Sequence, residues 1–435
     1  MEKFFSVSLL ICLFLQFLSV GHSWKNLVLL DLGSNMLEGP LPSSLCKLAN
    51  LNYLLLSDNK LTGEIPECFG NMSTQLTVLD LRKNGFHGKI PTNFPKNNTL
   101  RNLGLNGNQL EGTLPKSILN CKSLEVLDVG NNKIKDTFPT WLGQLTELSV
   151  LVLKSNLFSG PIGISSNSSF QKLRILDISK NQFDGIVPAG MIDSFQAMKR
   201  GPNQTQEGAK YMGDNSYYQD SVTLSIKGLE IEVKRILTIF TTIDLSGNRF
   251  KGNIPKEIGE LNSLKVLNLS SNGFNGSVPP TIGDLSALES LDLSQNQLGG
   301  RIPPQIGKLN FLSVLNVSHN QLVGPIPTGG QFNTFINPTS FTGNPGLCGY
   351  PLGDCGRSGE GSDSPSSNDQ TDEFRGLTWE SVVLGFGTGL IFGLFIGSVM
   401  FYTGQPRWFN SIIEDMIFEL KRRRRILNRR NLRLV

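Results

Sequence analysis

Residues 76–91 read LTVLDLRKNGFHGKIP, and residues 264–279 read LKVLNLSSNGFNGSVP. Both fit L-x-x-L-x-L-x-x-N-x-[LF]-x-G-x-[ILV]-P. Outward from these two stretches the asparagine recurs at Asn35, Asn59, Asn84, Asn108, Asn132, Asn156 and Asn181, then at Asn248, Asn272, Asn296 and Asn320. The steps are 24 or 25 residues, apart from one of 67 between Asn181 and Asn248. Leucines at alternate positions of a short strand point into one core. One coil cannot bury that core alone, so neighbouring coils must stack. An asparagine amide both donates and accepts, so a column of them can satisfy the backbone of the turn leaving each strand. Glycine permits that turn, and proline fixes the extended stretch after it. Eleven strands about 4.8 Å apart make a rod of about 50 Å. Two coils depart from the pattern: Asp136 stands at the glycine position of the fifth, and Gly163 at the proline position of the sixth.

The rest of the 435 residues sets the compartment. Three histidines leave little for His-based catalysis or zinc, and a net charge of +4 argues for no nucleic-acid partner. No nucleophile–base or metal constellation stands out, so neither an enzyme nor a cofactor is expected. Residues 1–23 read as a secretory signal, with Lys3 before an apolar run and the small Gly21 and Ser23 near its end. Residues 381–402 hold 22 residues without a charge, and a spanning helix needs about 20. Arg407, Lys421, Arg422, Arg423, Arg424, Arg425, Arg429, Arg430 and Arg433 follow this run; Glu360, Asp363, Asp369, Asp372, Glu373 and Glu380 precede it. The basic side is expected in the cytoplasm and the N-terminus outside, which makes a single-pass type I protein of the plasma membrane. The tail is too short for a kinase and holds no glycine-rich phosphate loop. Its basic cluster suits anionic lipid, at about 1 kcal/mol per charge.

The repeat resembles that of the leucine-rich-repeat α/β-type solenoid, which implies short parallel strands on a concave face and a mostly irregular or 3-10 convex side, here expected to be joined to a single transmembrane α-helix. Its L-x-G-x-[IL]-P ending resembles the plant extracellular subtype. The 67-residue step exceeds its neighbours by 43 residues, about 197–239, which are polar and carry Tyr211, Tyr217 and Tyr218. Alternating Val222, Leu224, Ile226, then Leu229, Ile231 and Val233 suggest strands in an ordered flap. The order of parts resembles the plant receptor-like proteins, kinase-less relatives of leucine-rich-repeat receptor kinases. It comprises a signal peptide (1–23), repeats 1–7 (24–196), a non-repeat island (197–239), repeats 8–11 (240–335) and a C-terminal cap (336–356). An acidic juxtamembrane spacer (357–380), a transmembrane helix (381–402) and a basic cytoplasmic tail (403–435) complete it.

That resemblance implies a receptor for an extracellular peptide or protein, acting in defence or development through a partner receptor kinase. The alternative is a non-signalling decoy or binding module, or a truncated receptor fragment. The family's island pattern is matched by Tyr218, Ser221, Lys227 and Gly228. The family also has more repeats and a cysteine-paired N-terminal cap. Residues 24–26 are too few for such a cap, so the chain reads as N-terminally shortened, with Leu27 and Leu30 exposed.

Cys348 and Cys355 lie where a C-terminal cap would be closed by a disulfide in an oxidising compartment, as in that family. Cys46 and Cys68 lie in consecutive repeats and read either as a bridge or as two buried thiols, while Cys121 is left for the core. Asn71, Asn97, Asn167, Asn203, Asn268, Asn275 and Asn316 head glycosylation sequons. Sugars at Asn268 and Asn316 would cover the concave sheet there, which moves the ligand surface to earlier repeats and the island. Candidates on that surface are Tyr53, Ser57, Asp58, Asp80, Arg82, Lys83, Asn102, Asn106, Lys154, Asp177 and Lys180. Gly385, Gly389, Gly393 and Gly397 form a small-residue stripe on the membrane helix, suited to close approach of a kinase adaptor's own helix.

Overall fold

The computed structural model describes residues 26–72, 75–163, 169–199, 211–214, 218–226 and 229–355. The expected signal peptide, acidic spacer, transmembrane helix with its glycine stripe, and basic tail lie outside these residues. Among the described residues no helix is long and apolar enough to cross a membrane.

Each repeat contributes one short strand, from Leu29–Asp31 in the first to Val314–Asn316 in the eleventh, and all eleven pair in parallel in repeat order. The central residues Leu30, Leu54, Leu79, Leu103, Leu127, Leu151, Leu176, Ile243, Leu267, Leu291 and Leu315 stand opposite one another and all enter one continuous core. Leu30, expected exposed, is buried there, and Leu27 packs against it, because strand alternation turns Leu30 inward within its own coil. Repeats 7 and 8 pair Leu176 with Ile243, so the long insertion leaves the register intact.

The asparagine column works as a chain of backbone bonds. In the third repeat Asn84 Oδ1 accepts the Leu61 amide of the preceding coil at 3.0 Å, and Nδ2 donates to the carbonyls of Leu56 and Leu81 at 3.0 and 3.2 Å. Across the insertion Asn248 does the same, accepting from the Phe183 amide at 3.1 Å and donating to the Ile178 carbonyl at 3.0 Å. Phenylalanines two residues beyond these asparagines stack beneath: Phe158 on Phe183 at 5.9 Å, Phe183 on Phe250 and Phe250 on Phe274 at 6.2 Å. The column has a further rung. Asn344 accepts from the Leu322 amide at 3.0 Å and donates to the Val317 carbonyl at 3.0 Å. The C-terminal cap is therefore built on a twelfth coil.

The motif's prolines, such as Pro42, Pro115 and Pro255, precede 3-10 turns on the far side, including Ser43–Lys47, Lys116–Asn120 and Lys256–Glu260. More strand is present than expected. The flank between the two faces carries additional parallel strands in three runs of five, four and three. The first run stops at Lys133–Ile134. The next residues bring in Asp136, whose carboxylate accepts the Leu114 and Thr137 amides at 3.1 and 2.8 Å in place of a glycine turn.

Both cysteine pairs are bonded, Cys46 to Cys68 and Cys348 to Cys355, while Cys121 is free and buried. Burial pushes the Cys121 thiol up to about 11, and Asn98 donates to its sulfur at 3.1 Å, so it stays an inert thiol of the core.

Candidate ligand-binding face

The outward-facing positions of the strands differ along the stack. Repeats 2, 3, 5, 6 and 7 place apolar residues there, namely Tyr53, Leu55, Val78, Val126, Val150, Val152 and Ile175. Such side chains on an open face would cost free energy, and the island covers them. The chain leaves the stack after the helix Gln196–Lys199 and rejoins it at the strand Thr242–Asp244. Between them, Val222–Ile226 pairs antiparallel with Leu229–Val233, and Gly213–Asp214 pairs with Tyr218–Gln219. Val222, Leu224, Met212 and Ile236 pack on Val126, Val150, Val152 and Ile175, while Tyr218 packs on Tyr53, Leu55 and Val78. Full burial of each such side chain is worth about 1.5–3 kcal/mol, so the island is fixed at its root.

Polar contacts surround that root. Asp220 is fully buried, accepts from Arg101 at 2.7 Å and also from Asn102. Burial works against the Arg101 charge, but Asp220 and Glu125 outweigh it and hold its pKa up. Arg82 grips Asp80 through two nitrogens at 2.8 and 2.6 Å and donates to the Ser221 carbonyl at 2.8 Å. At the rim, Lys83 meets Glu232 at 2.9 Å, and Lys154 and Lys180 meet Glu230 at 3.3 and 3.6 Å. The nearby Lys154 ammonium holds the Glu230 carboxyl below its usual range.

The carboxylates beneath the island sit differently. Asp177 and Asp244 end neighbouring strands and are buried. Burial is the first cause pushing Asp177 up to about 7, and the Asp244 carboxylate beside it adds to the shift; Asp244 is raised by burial too. Asp177 Oδ1 accepts from the Ser179 amide and hydroxyl at 3.1 and 2.6 Å, whereas its Oδ2 and that of Asp128 have no partner.

Most of the residues expected to read a ligand are thus occupied. Tyr53, Asp80, Asn102, Asn106, Lys154 and Asp177 are buried: Tyr53, Asn102 and Lys154 meet the flap directly, while Asp80, Asn106 and Asp177 are engaged by neighbouring side chains of the coils. Asp58, Lys83 and Lys180 remain at the accessible rim, each in the left-handed turn before the ladder asparagine, with φ of 58°, 53° and 52°. Of the island residues, Tyr218 and Ser221 face the sheet as described, and Lys227 and Gly228 lie outside the described residues. Asn71, Asn97 and Asn275 are exposed. Asn268 and Asn316 are half-buried on the strand face, donating to Asp244 and Asp292 at 3.2 and 3.4 Å. Asn167 and Asn203 are outside the described residues. Sequence reasoning missed Asp220, Glu230 and Glu232. The signal available for the docking was a pair of apolar residues at both outward positions of one strand, Tyr53 with Leu55 and Val150 with Val152.

Residues 26–48, 50–72, 75–97, 98–158 and 240–298 match the leucine rich repeat family. Receptor-like protein 35 of Arabidopsis thaliana is 47% identical over 380 residues, covering 86% of this chain and 40% of that protein. Receptor-like protein 18 of the same plant is 54% identical over 302 residues, covering 68% of this chain and 36% of that protein. The chain spans about two fifths of the length of these curated relatives. Among solved structures, the Arabidopsis receptor kinase HAESA, in complex with the peptide hormone IDA and the co-receptor SERK1, matches with a TM-score of 0.56 at 30% identity, over 74% of this chain and 50% of that one. A TDR receptor matches with a TM-score of 0.54 at 28% identity, over 68% of this chain and 44% of that one.

Proposed function

This chain belongs to the plant leucine-rich-repeat receptor-like proteins, and on that premise we propose that it is a single-pass receptor of the plasma membrane. It recognises an extracellular peptide or protein, in defence or development, and signals through a partner receptor kinase rather than by chemistry of its own. The observation that carries this reading is the composite face: an island seated by its apolar root on the strands of repeats 2 to 7, with charged side chains left at its rim. Such a face holds a fixed shape and offers ionic groups, which suits binding. The likeness to HAESA, whose structure includes a peptide hormone and a co-receptor, supports the same reading. The kinase partner is assigned to the stripe Gly385, Gly389, Gly393 and Gly397, because small residues four apart let two helices pack closely in lipid.

The test is purification of the tagged full chain from plant membranes, followed by identification of bound receptor kinases. Recovery of a kinase, and its loss in the Gly389→Leu/Gly393→Leu variant at equal surface abundance, is the expected result. A surface-delivered chain that recovers no kinase would be a decoy or binding module instead.

A further inference from the structure

The island joins the stack in two unlike ways. Its root is apolar and buried. Its rim is ionic, with Glu230 and Glu232 side chains 55% and 42% exposed against Lys180 and Lys83 at 63% and 49%. Exposed pairs of this kind contribute little to stability and exchange readily. Glu230 and Glu232 are alternate residues of one strand, so they point to the same side, while Ile231 between them is exposed. Lys83 belongs to repeat 3 and Lys180 to repeat 7, so the two carboxylates bridge cations about four strands, or ~19 Å, apart. The arms of the lysines close the remaining distance. Lys154 beneath them is buried and also faces Asp128, Asp177 and Asp244, so it is not left uncompensated when Glu230 departs.

We infer that the exposed pair Lys83 and Lys180 is a docking lane for an acidic extended segment of the form Glu-x-Glu in a partner protein or peptide, and that the island strand Leu229–Val233 is its built-in occupant. The partner exchanges with Glu230 and Glu232 at the rim while the root stays seated. This rests on the receptor reading and specifies the chemistry of its ligand. The spacing of the carboxylates on the resident strand sets the spacing required of the partner, because both must reach the same lysines.

The experiment uses the purified full chain in detergent and two labelled peptides, Leu-Glu-Ile-Glu-Val and its Leu-Gln-Ile-Gln-Val control. The E230Q/E232Q variant, which keeps the side-chain shapes and vacates the lysines, is expected to bind the acidic peptide at least ten-fold tighter than the unaltered chain. Binding should weaken with added salt and vanish in E230Q/E232Q carrying K83E/K180E. Amide exchange at Val222 and Leu224 reports the root and should stay slow throughout. Equal binding of the two peptides, no gain in E230Q/E232Q, or fast exchange at Val222 and Leu224 in that variant would each overturn the proposal. Kinase recovery by the unaltered chain is read separately, so a failed lane leaves the receptor assignment standing.

Discussion

Asp177 shows how one column position is tuned. In coils 9 and 11 the same position holds Asn268 and Asn316, whose Oδ1 atoms accept from Ser270 and Ser318 just as Asp177 accepts from Ser179. Their Nδ2 atoms also donate to a carboxylate of the preceding coil, whereas Asp177 has Val152 on that side and the Asp244 carboxylate on the other. An unfolded aspartate titrates at about 3.9, and burial pushes folded Asp177 up to about 7. The folded chain therefore holds this proton more tightly. Its contribution to stability is full below about pH 4 and is lost as the pH rises to about 7. Unfolding midpoints are expected to drop by a few degrees across that window, and Asp177→Asn is expected to flatten the drop without loss at acid pH. An unchanged slope in that variant would place the proton on another group. Tyr218 gives a second case. Its hydroxyl is buried without a partner, and burial, then the Asp80 charge, keep its pKa well above the usual tyrosine range. Removing an unsatisfied hydroxyl carries no lost bond, so Tyr218→Phe should leave the island as stable or slightly more so by hydrogen exchange. A destabilised island would show that the hydroxyl is satisfied in solution.

Among the elements, the coil was readable and the island's seat was not, for a physical reason. A coil is written in local terms: Asn84, Leu79, Leu81 and Gly88 occur at fixed offsets because each bond is made to an adjacent coil. Even the twelfth coil obeys the step, since Asn344 follows Asn320 by 24 residues. The pairing of Glu232 with Lys83 joins residues 149 apart and obeys no period. Only apolar residues at both outward positions of one strand, Tyr53 with Leu55 and Val150 with Val152, pointed to a cover. Because Asn181, Asn248, Phe183 and Phe250 bridge the insertion directly, a chain whose island is replaced by a linker of about four residues between Lys199 and Thr241 should keep its strand register. It should also expose Val126, Val150, Val152 and Ile175 as a patch, seen as dye binding and self-association. A soluble, dye-silent deletion would mean that the strands beneath are covered by something else.

For the stacked repeats as a whole, stability is a sum of each coil and its contacts with the next. Damage should therefore stay local. The Cys46–Cys68 bridge closes a loop of 22 residues, and loops of that order are worth about 3 kcal/mol through the unfolded state. Cys46→Ala/Cys68→Ala is expected to speed amide exchange in repeats 1 to 3 and leave repeats 8 to 11 unaltered. Uniform loosening along the chain would show that the stack behaves as one cooperative body.

The unbroken register beneath the island makes the framework and the recognition surface separable as engineering parts. A foreign sequence spliced between Lys199 and Thr241 is expected to leave the rung from Phe183 to Asn248 in place. What limits the exchange is the landing ground: an island whose underside lacks apolar residues has nothing to grip on Val126, Val150, Val152 and Ile175. A transplant of new specificity should therefore carry its own footprint with it, the flap, those four strand positions and the Tyr53, Leu55 and Val78 seat of Tyr218 moving as one cassette.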